Sequence, residues 1–413
     1  MNPNIRINGK RLRESLETMA KIGGTPNGGV QRLALSDEDK TARDLLCKWL
    51  KEIDCEVFYD EMGNIFGKRA GTKPELTPIM SGSHGDSQPK GGRFDGILGV
   101  MGALEVLRTL HENKVELLRP VMLVQWTNEE GSRFSPAMVS SGVWSGALTK
   151  EWAYSRTDRD GKTQGAEIER IGYKGKLPCK HWPTHAYYEL HIEQGPMLEK
   201  KGMTIGAPKG ILCLHWYDIY LKGAANQVGP TPMEGRNDAL VAASEMILKV
   251  NELPAKMGGN MVATVGEIQC MPNSRNIIPD DVHFTVDIRS WDDELAIKAW
   301  EDLLNDFKAI SEKRGTPMKH EITWRVEHAP FNRKMVDRVI SNAKAFNYPV
   351  MEWVSGAGHD ASYMNQVAPT AMVFVPSIGG RSHVECEDTK WEDCEAGANV
   401  LLHSIMQSAN EVE

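Results

Sequence analysis

Short apolar runs of strand length recur along this 413-residue chain, and the clearest of them end on histidines or carboxylates flanked by glycine. Residues 78–83 lead into His84-Gly85-Asp86, residues 121–126 into Thr127-Asn128-Glu129-Glu130-Gly131, and residues 371–376 into Gly379-Gly380-Arg381-Ser382-His383. Two more stretches, Gly92-Arg93-Phe94-Asp95-Gly96 and Leu190-His191-Ile192-Glu193-Gln194-Gly195, carry the same kinds of side chain. A lone histidine or Asp-Gly pair is more often core filler or a turn. Five such stretches together point to a metallohydrolase. Imidazole nitrogens, a bridging-capable Asp and a Glu pair supply ligands for two cations and one spare carboxylate to move a proton.

Helical patterns alternate with these runs. Residues 37–53 place Ala42, Leu45, Leu46, Trp49 and Leu50 on one face, behind candidate caps at Ser36 and Asp37. Residues 56–68 alternate as a hairpin turning at Gly63-Asn64. Residues 97–110 read as a helix whose Gly99, Gly102 and Ala103 allow close packing on a sheet. Strand-then-helix alternation predicts an α/β fold with a mostly parallel sheet covered by helices. Ligands in such sheets gather outside the carboxyl ends of the strands. His84 falls just past the end of its strand, and Glu129 and Glu130 past theirs, where that rule puts a site.

Residues 216–325 follow a different order: strand, helix, two strands, helix, strand. That is the ferredoxin-like α+β arrangement. The expected organisation is a catalytic domain of residues 1–211 and 328–413 with residues 212–327 inserted as a second domain. Residues 150–180, with their Lys, Arg, Gly and Asp content, are expected to form a flexible excursion.

The composition, 41% hydrophobic and 25% charged, is that of an ordinary soluble globular protein. A formal net charge of -8 without a long basic run excludes nucleic acid and anionic membrane as expected partners. Residues 1–6 lack the apolar segment of a secretory signal, and no stretch approaches the roughly 18 apolar residues of a membrane span. The seven cysteines are odd in number and form no Cys-x-x-Cys pair. Free buried thiols in a reducing cytoplasm are expected, rather than disulfides or a structural zinc site.

In this order the motifs resemble the M20 metallopeptidase family. The resemblance is strongest to its amidohydrolase branch of N-carbamoyl-L-amino-acid hydrolases, allantoate amidohydrolases and β-ureidopropionases. It covers nearly the whole chain and is most specific at residues 127–134, 191–196 and 355–361. It implies a dinuclear catalytic domain, a smaller lid domain that also makes a homodimer, and hydrolysis of a linear amide or ureido C–N bond in a small-molecule substrate. Carried onto these residues, His84, Asp95 and His191 hold one divalent metal ion, and Asp95, Glu130 and His383 the other, as Zn, Mn, Co or Ni. Asp95 bridges, Asp86 fixes the His84 tautomer from behind, and Glu129 is the general base. His359 reads as a brace that opens a helix.

The same resemblance assigns substrate binding to Gln194 on the catalytic side and to Asn276 and Arg289 on the lid. The guanidinium fork of Arg289 suits a substrate carboxylate. The family pattern has His-Ala-Gly before Thr-Pro-Met, where this chain reads Gln227-Val228-Gly229 before Pro230-Thr231-Pro232-Met233. Gln227 can donate a neutral hydrogen bond but carries no charge. Gly85 stands where a bulkier residue is usual, and residues 212–215 replace a more polar stretch. These changes imply an altered substrate pocket, with His215 as a stand-in for the missing imidazole. Hydrolysis of N-carbamoyl-L-amino acids is the leading expectation. Allantoate, β-ureidopropionate or N-acyl amide substrates and a catalytically faded metal-binding homologue are the alternatives.

Overall fold

The computed structural model describes residues 4–412. Two compact units make up the chain: one runs to Gly210 and resumes at Pro330, and the other is Ile211–Ala329. Numbered along the chain, the strands are β1 Glu56–Tyr59, β2 Ile65–Arg69, β3 Ile79–His84, β4 Val121–Trp126, β5 Ala186–Ile192, β6 Ile205–Ile211, β7 Cys213–Lys222, β8 Val262–Thr264, β9 Ile268–Met271, β10 Asp281–Ser290, β11 Met318–Val326, β12 Ala329–Pro330, β13 Val350–Ser355 and β14 Thr370–Val375.

A nine-stranded sheet runs in the order β1-β2-β4-β3-β5-β14-β6-β12, with β13 beside β6. Its centre, β4-β3-β5-β14, is parallel. Every residue of these four strands is buried, because helices cover the parallel centre and leave no polar face. Helices Ile97–Glu112 and Trp391–Ala409 pack on β5 and β3. The close approach rests on two glycines: a Cβ on Gly99 would lie 2.4 Å from the Leu190 carbonyl oxygen, and one on Gly102 would lie 2.7 Å from Leu190 Cδ2.

The helix Asp37–Lys51 is capped by Ser36, whose side chain accepts from the Asp39 N–H at 3.2 Å. Its Arg43 is fully buried, paired with Asp39 at 2.8 Å. Arg43 also donates to the Gly63 carbonyl at 2.7 Å and to Thr127 Oγ1 at 3.1 Å. One buried cation thereby ties the β1–β2 turn to the loop that follows β4. Removing one partner of such a buried pair costs about 3–5 kcal/mol.

Two expectations need correcting in this unit. His84 is the last residue of β3 and does not lie beyond it. Residues 150–180 are no loose excursion. They hold the helices Lys150–Tyr154 and Gln164–Arg170, capped by Thr149 and Thr163. Arg133 pairs with Asp158 at 3.0 Å and Glu167 at 2.7 Å, and Lys150 pairs with Glu61 at 2.8 Å. The charges that suggested a solvated loop are the groups that dock it.

In the second unit a five-stranded antiparallel sheet has the order β11-β7-β10-β8, with β9 also against β10. Burial alternates residue by residue along β10, as in a sheet with one covered face. Tyr217, Ile219, Phe284 and Val286 from that face meet Met246, Trp300, Leu303 and Phe307 from the helices Ala239–Met257 and Asp293–Arg314. Tyr217 stacks on Trp300 at 3.6 Å between ring centroids. The strand region between the helix Ala239–Met257 and β10 is broken into β8 and β9. The gap carries Gly266, which adds no side chain to hold a strand, and Thr285 of β10 bridges it by exchanging 3.1 Å hydrogen bonds with Glu267.

Candidate metal centre

The metal-loving side chains converge at the carboxyl ends of the parallel strands. His84 closes β3, His191 lies in β5, and Glu129 and Glu130 follow β4. His383 follows β14 through the short turn Ile378–Gly380. Asp95 lies just before the helix Ile97–Glu112. Gly96 beside it has φ 66°, and a Cβ there would stand 2.3 Å from the His84 ring. Only glycine fits that position on both counts.

Asp95 turns one oxygen to each side. Its Oδ1 is 3.5 Å from His84 Nε2 and 3.2 Å from His191 Nε2, while its Oδ2 is 3.1 Å from His383 Nε2. Glu130 Oε2 lies 3.3 Å from the same His383 nitrogen. The ligand atoms of His84, Asp95 and His191 lie within 4.8 Å of one another, and so do those of Asp95, Glu130 and His383. Glu129 Oε2 is 3.3 Å from His84 Nε2.

Imidazole tautomers are set from behind. The Nδ1 atoms of His84 and His191 each lie 2.9 Å from a main-chain oxygen, those of Asp86 and Ile192. A carbonyl can only accept, so both Nδ1 atoms carry a proton, and Nε2 is the ring atom each histidine turns toward Asp95. Asp86 therefore orients His84 through its main chain. Its carboxylate, 3.9 Å from Nδ1, accepts instead from the N–H groups of Glu129 at 3.3 Å and Glu130 at 3.2 Å. His359 packs edge-on against His191 at 4.4 Å and lies 3.0 Å from Ser355 Oγ. Burial holds its pKa well below the usual imidazole value, so it is a neutral brace.

Three positioning groups carried no signal in the sequence. Gln88 donates to Glu130 from its main chain at 3.1 Å and from its amide at 2.8 Å. Glu387 holds the Asp95 loop by accepting from main-chain N–H groups. Glu189 accepts from Ser83, Tyr187 and the Ala361 N–H at 2.7, 3.0 and 3.1 Å, joining β3, β5 and the turn after His359.

The centre is rich in buried negative charge. Asp86, Asp95, Glu129, Glu130 and Glu387 are all at most 8% exposed. Burial pushes the Glu129 carboxyl well above the usual range, and the nearby Asp360, Glu130 and Asp95 add to this against the opposing pull of His84. Burial also lifts Glu130, to about 7. Asp95 behaves oppositely: hydrogen bonds from His191, His383 and His84 overcome its burial and hold it well below the carboxylate range. Buried carboxylates at this density call for cations. Two imidazoles plus a shared carboxylate on one side, and that carboxylate with Glu130 and His383 on the other, form a donor set that fits two borderline divalent ions.

Gln194 also reaches this centre. Its amide nitrogen donates to Asp95 Oδ2 at 2.7 Å and lies 3.2 Å from His383 Nε2. The remaining substrate candidates belong to the second unit. Val228 N donates to the Asn276 carbonyl at 3.0 Å, which brings the Gln227 and Asn276 segments side by side. The Gln227 side chain is exposed and accepts from the Gly229 N–H. Arg289 pairs with Asp287 at 2.8 Å. His215 is not presented to solvent: it is 3% exposed, with Nδ1 3.3 Å from the Tyr217 hydroxyl. Gly85 does not leave an open space either, since a Cβ there would meet the Gln125 amide at 2.7 Å.

The peptidase family M20/M25/M40 model matches residues 80–407, which include every candidate ligand. The chain belongs to that family. It is 40% identical over 410 residues to the N-carbamoyl-L-amino-acid amidohydrolase of Rhizobium meliloti, covering 99% of each chain. It is 31% identical to the allantoate amidohydrolase of Bacillus subtilis, covering 96% of this chain and 97% of that one. Among solved structures it matches an amidase of the hydantoinase/carbamoylase family from Burkholderia vietnamiensis with TM-score 0.95 and 48% identity, over 100% of both chains.

Proposed function

We propose that this protein hydrolyses the ureido C–N bond of N-carbamoyl-L-amino acids, releasing the amino acid, ammonia and carbon dioxide. The observation that carries the reading is Asp95, with an oxygen turned to each of two histidine-bearing ligand groups and Glu129 beside the first. His84, Asp95 and His191 would hold one divalent cation and Asp95, Glu130 and His383 a second, with Zn, Mn, Co or Ni the candidates. Such ions acidify water and polarise a carbonyl. Glu129 takes the proton of the attacking water and passes it to the leaving nitrogen. Its carboxyl is buried and stands 3.3 Å from His84 Nε2, beside the first ligand group.

On the substrate side, Gln194 orients the ureido group from the catalytic unit, while Arg289 and Asn276 receive the amino-acid carboxylate. Arg289 meets it with Asp287 as a companion that keeps the fork aligned. Gln227 supplies a neutral donor to the scissile carbonyl. The second unit acts as lid and dimer interface. Exposed Val241 and Leu248 on its helix Ala239–Met257, and Val262 on its edge strand β8, support an apolar contact with a second copy. Among the described residues no helix is long and apolar enough to cross a membrane, and the working compartment is the cytoplasm.

The test is a substrate panel offered to the metal-reconstituted protein: N-carbamoyl-L-amino acids, allantoate, β-ureidopropionate, N-acyl amino acids and dipeptides. Highest kcat/KM on the carbamoyl amino acids is expected. A higher value on another class would reassign the substrate. No turnover on any of them would identify a metal-binding homologue that has lost catalysis.

A further inference from the structure

A second cluster of ligand-type side chains lies wholly within the Ile211–Ala329 unit. Cys213 and His215 stand two residues apart in β7, so both side chains fall on its buried face. They are 0% and 3% exposed. In the antiparallel register, Cys213 pairs with Ser290 and His215 with Ile288. The chain then turns at once into the helix Asp293–Arg314, whose first residue returns its carboxylate over the start of β7. The thiol, a ring nitrogen of His215 and an Asp293 oxygen all lie within 4.8 Å of one another.

Asp293 is held in place by its surroundings. His328 donates its main-chain N–H to Oδ1 at 3.0 Å, and its Nδ1 pairs with Oδ2. Carboxylates that ligate metals are themselves held by hydrogen bonds of this kind. Arg325, the cation that acts on His215, donates to the Tyr217 hydroxyl at 2.8 Å. Burial pushes the Cys213 thiol up to about 12 and the His215 imidazole down to about 4.

We propose that Cys213, His215 and Asp293 bind a borderline divalent cation, zinc foremost, at the junction of β7 and the helix Asp293–Arg314. One sulfur, one nitrogen and one oxygen donor are zinc's ordinary ligands and leave a fourth tetrahedral position open. Binding forms an S–Zn bond and releases the Cys213 proton to solvent. Such an ion would clamp the first turn of the helix to the first residues of the strand, where Cys213 belongs to the unit's apolar core. This site is independent of the proposed hydrolytic reaction.

Cobalt titration of the full-length, metal-free chain tests it. The catalytic ligands include no sulfur, so a near-ultraviolet thiolate-to-cobalt charge-transfer band can only report a cysteine-containing site. One equivalent giving that band in the wild type is expected, with the band absent in Cys213→Ser and retained in Cys386→Ser, a control for the exposed thiol. His215→Gln and Asp293→Asn should each weaken cobalt binding at this site by about 100-fold or more, since even outer partners of a ligand contribute about 10–100-fold. These two variants and the wild-type spectrum decide the question if Cys213→Ser does not fold. No band in the wild type, a band that survives Cys213→Ser, or one that disappears in Cys386→Ser would overturn the proposal.

Discussion

Glu387 Oε1 accepts the main-chain N–H of Asp95 at 3.0 Å, and the adjacent N–H of Phe94 donates to the same oxygen at the same distance. Ser382 Oγ lies 2.9 Å from Asp95 Oδ2 and 2.8 Å from Glu387 Oε2, within hydrogen-bond reach of both carboxylates. Glu387 thus aims the candidate bridging ligand through its main chain and through Ser382. Replacement by glutamine keeps the shape and removes the charge. Glu387→Gln should weaken metal affinity about 10–100-fold with folding unchanged, as for other outer partners of ligands. Competition with a chelator measures this, and an affinity equal to the wild type would remove Glu387 from the centre.

Glu129→Gln should leave metal content near the wild-type value and lower kcat by about 10²–10⁴-fold, the usual contribution of a positioned base. A variant that kept a third of the activity would show that another group moves the proton.

Metal binding should be linked to pH. In the metal-free protein, desolvation of the ring edge that faces the carboxylates lowers the His383 pKa, but Glu130 and Asp95 outweigh it and raise the value to about 9; burial lifts Glu130 to about 7. Each group carries its proton below its pKa, and a cation must displace that proton. Affinity should therefore fall as pH drops through about 9 and again through about 7, with protons released on binding. Calorimetry in two buffers of different ionisation enthalpy counts those protons. A heat independent of the buffer would contradict the linkage.

Arg289→Ala should weaken binding of carboxylate-bearing substrates by about 2–5 kcal/mol if the pair it forms is desolvated. A substrate carrying an amide in place of the carboxylate should lose little further. Equal losses for both would assign Arg289 to its Asp287 pair and to the fold alone.

The candidate ligands were legible in the sequence because they sit where a pattern changes. His84 ends an apolar run and Glu129-Glu130 follows another, so strand periodicity and ligand chemistry marked the same places. The parallel centre and the antiparallel second unit were readable for the same reason. Glu387 and Gln88 were not, because they act on Asp95 and Glu130 from far along the chain and follow no local period. Arg133 was equally hidden: its partners Asp158 and Glu167 looked like solvated charges until the fold brought them together. His215 shows the reverse error. Its residue type suggested an available imidazole, and only the packing of β7 shows it to be buried.

The central claim is that Asp95 joins two cations in one hydrolytic centre. Metal content of the wild type and of Asp95→Ala, after saturation and removal of free ions, tests it most directly. The account predicts that the variant holds two fewer ions per chain and has no measurable turnover on N-carbamoyl-L-amino acids. A variant that retained both ions, or that turned over substrate at the wild-type rate, would contradict it.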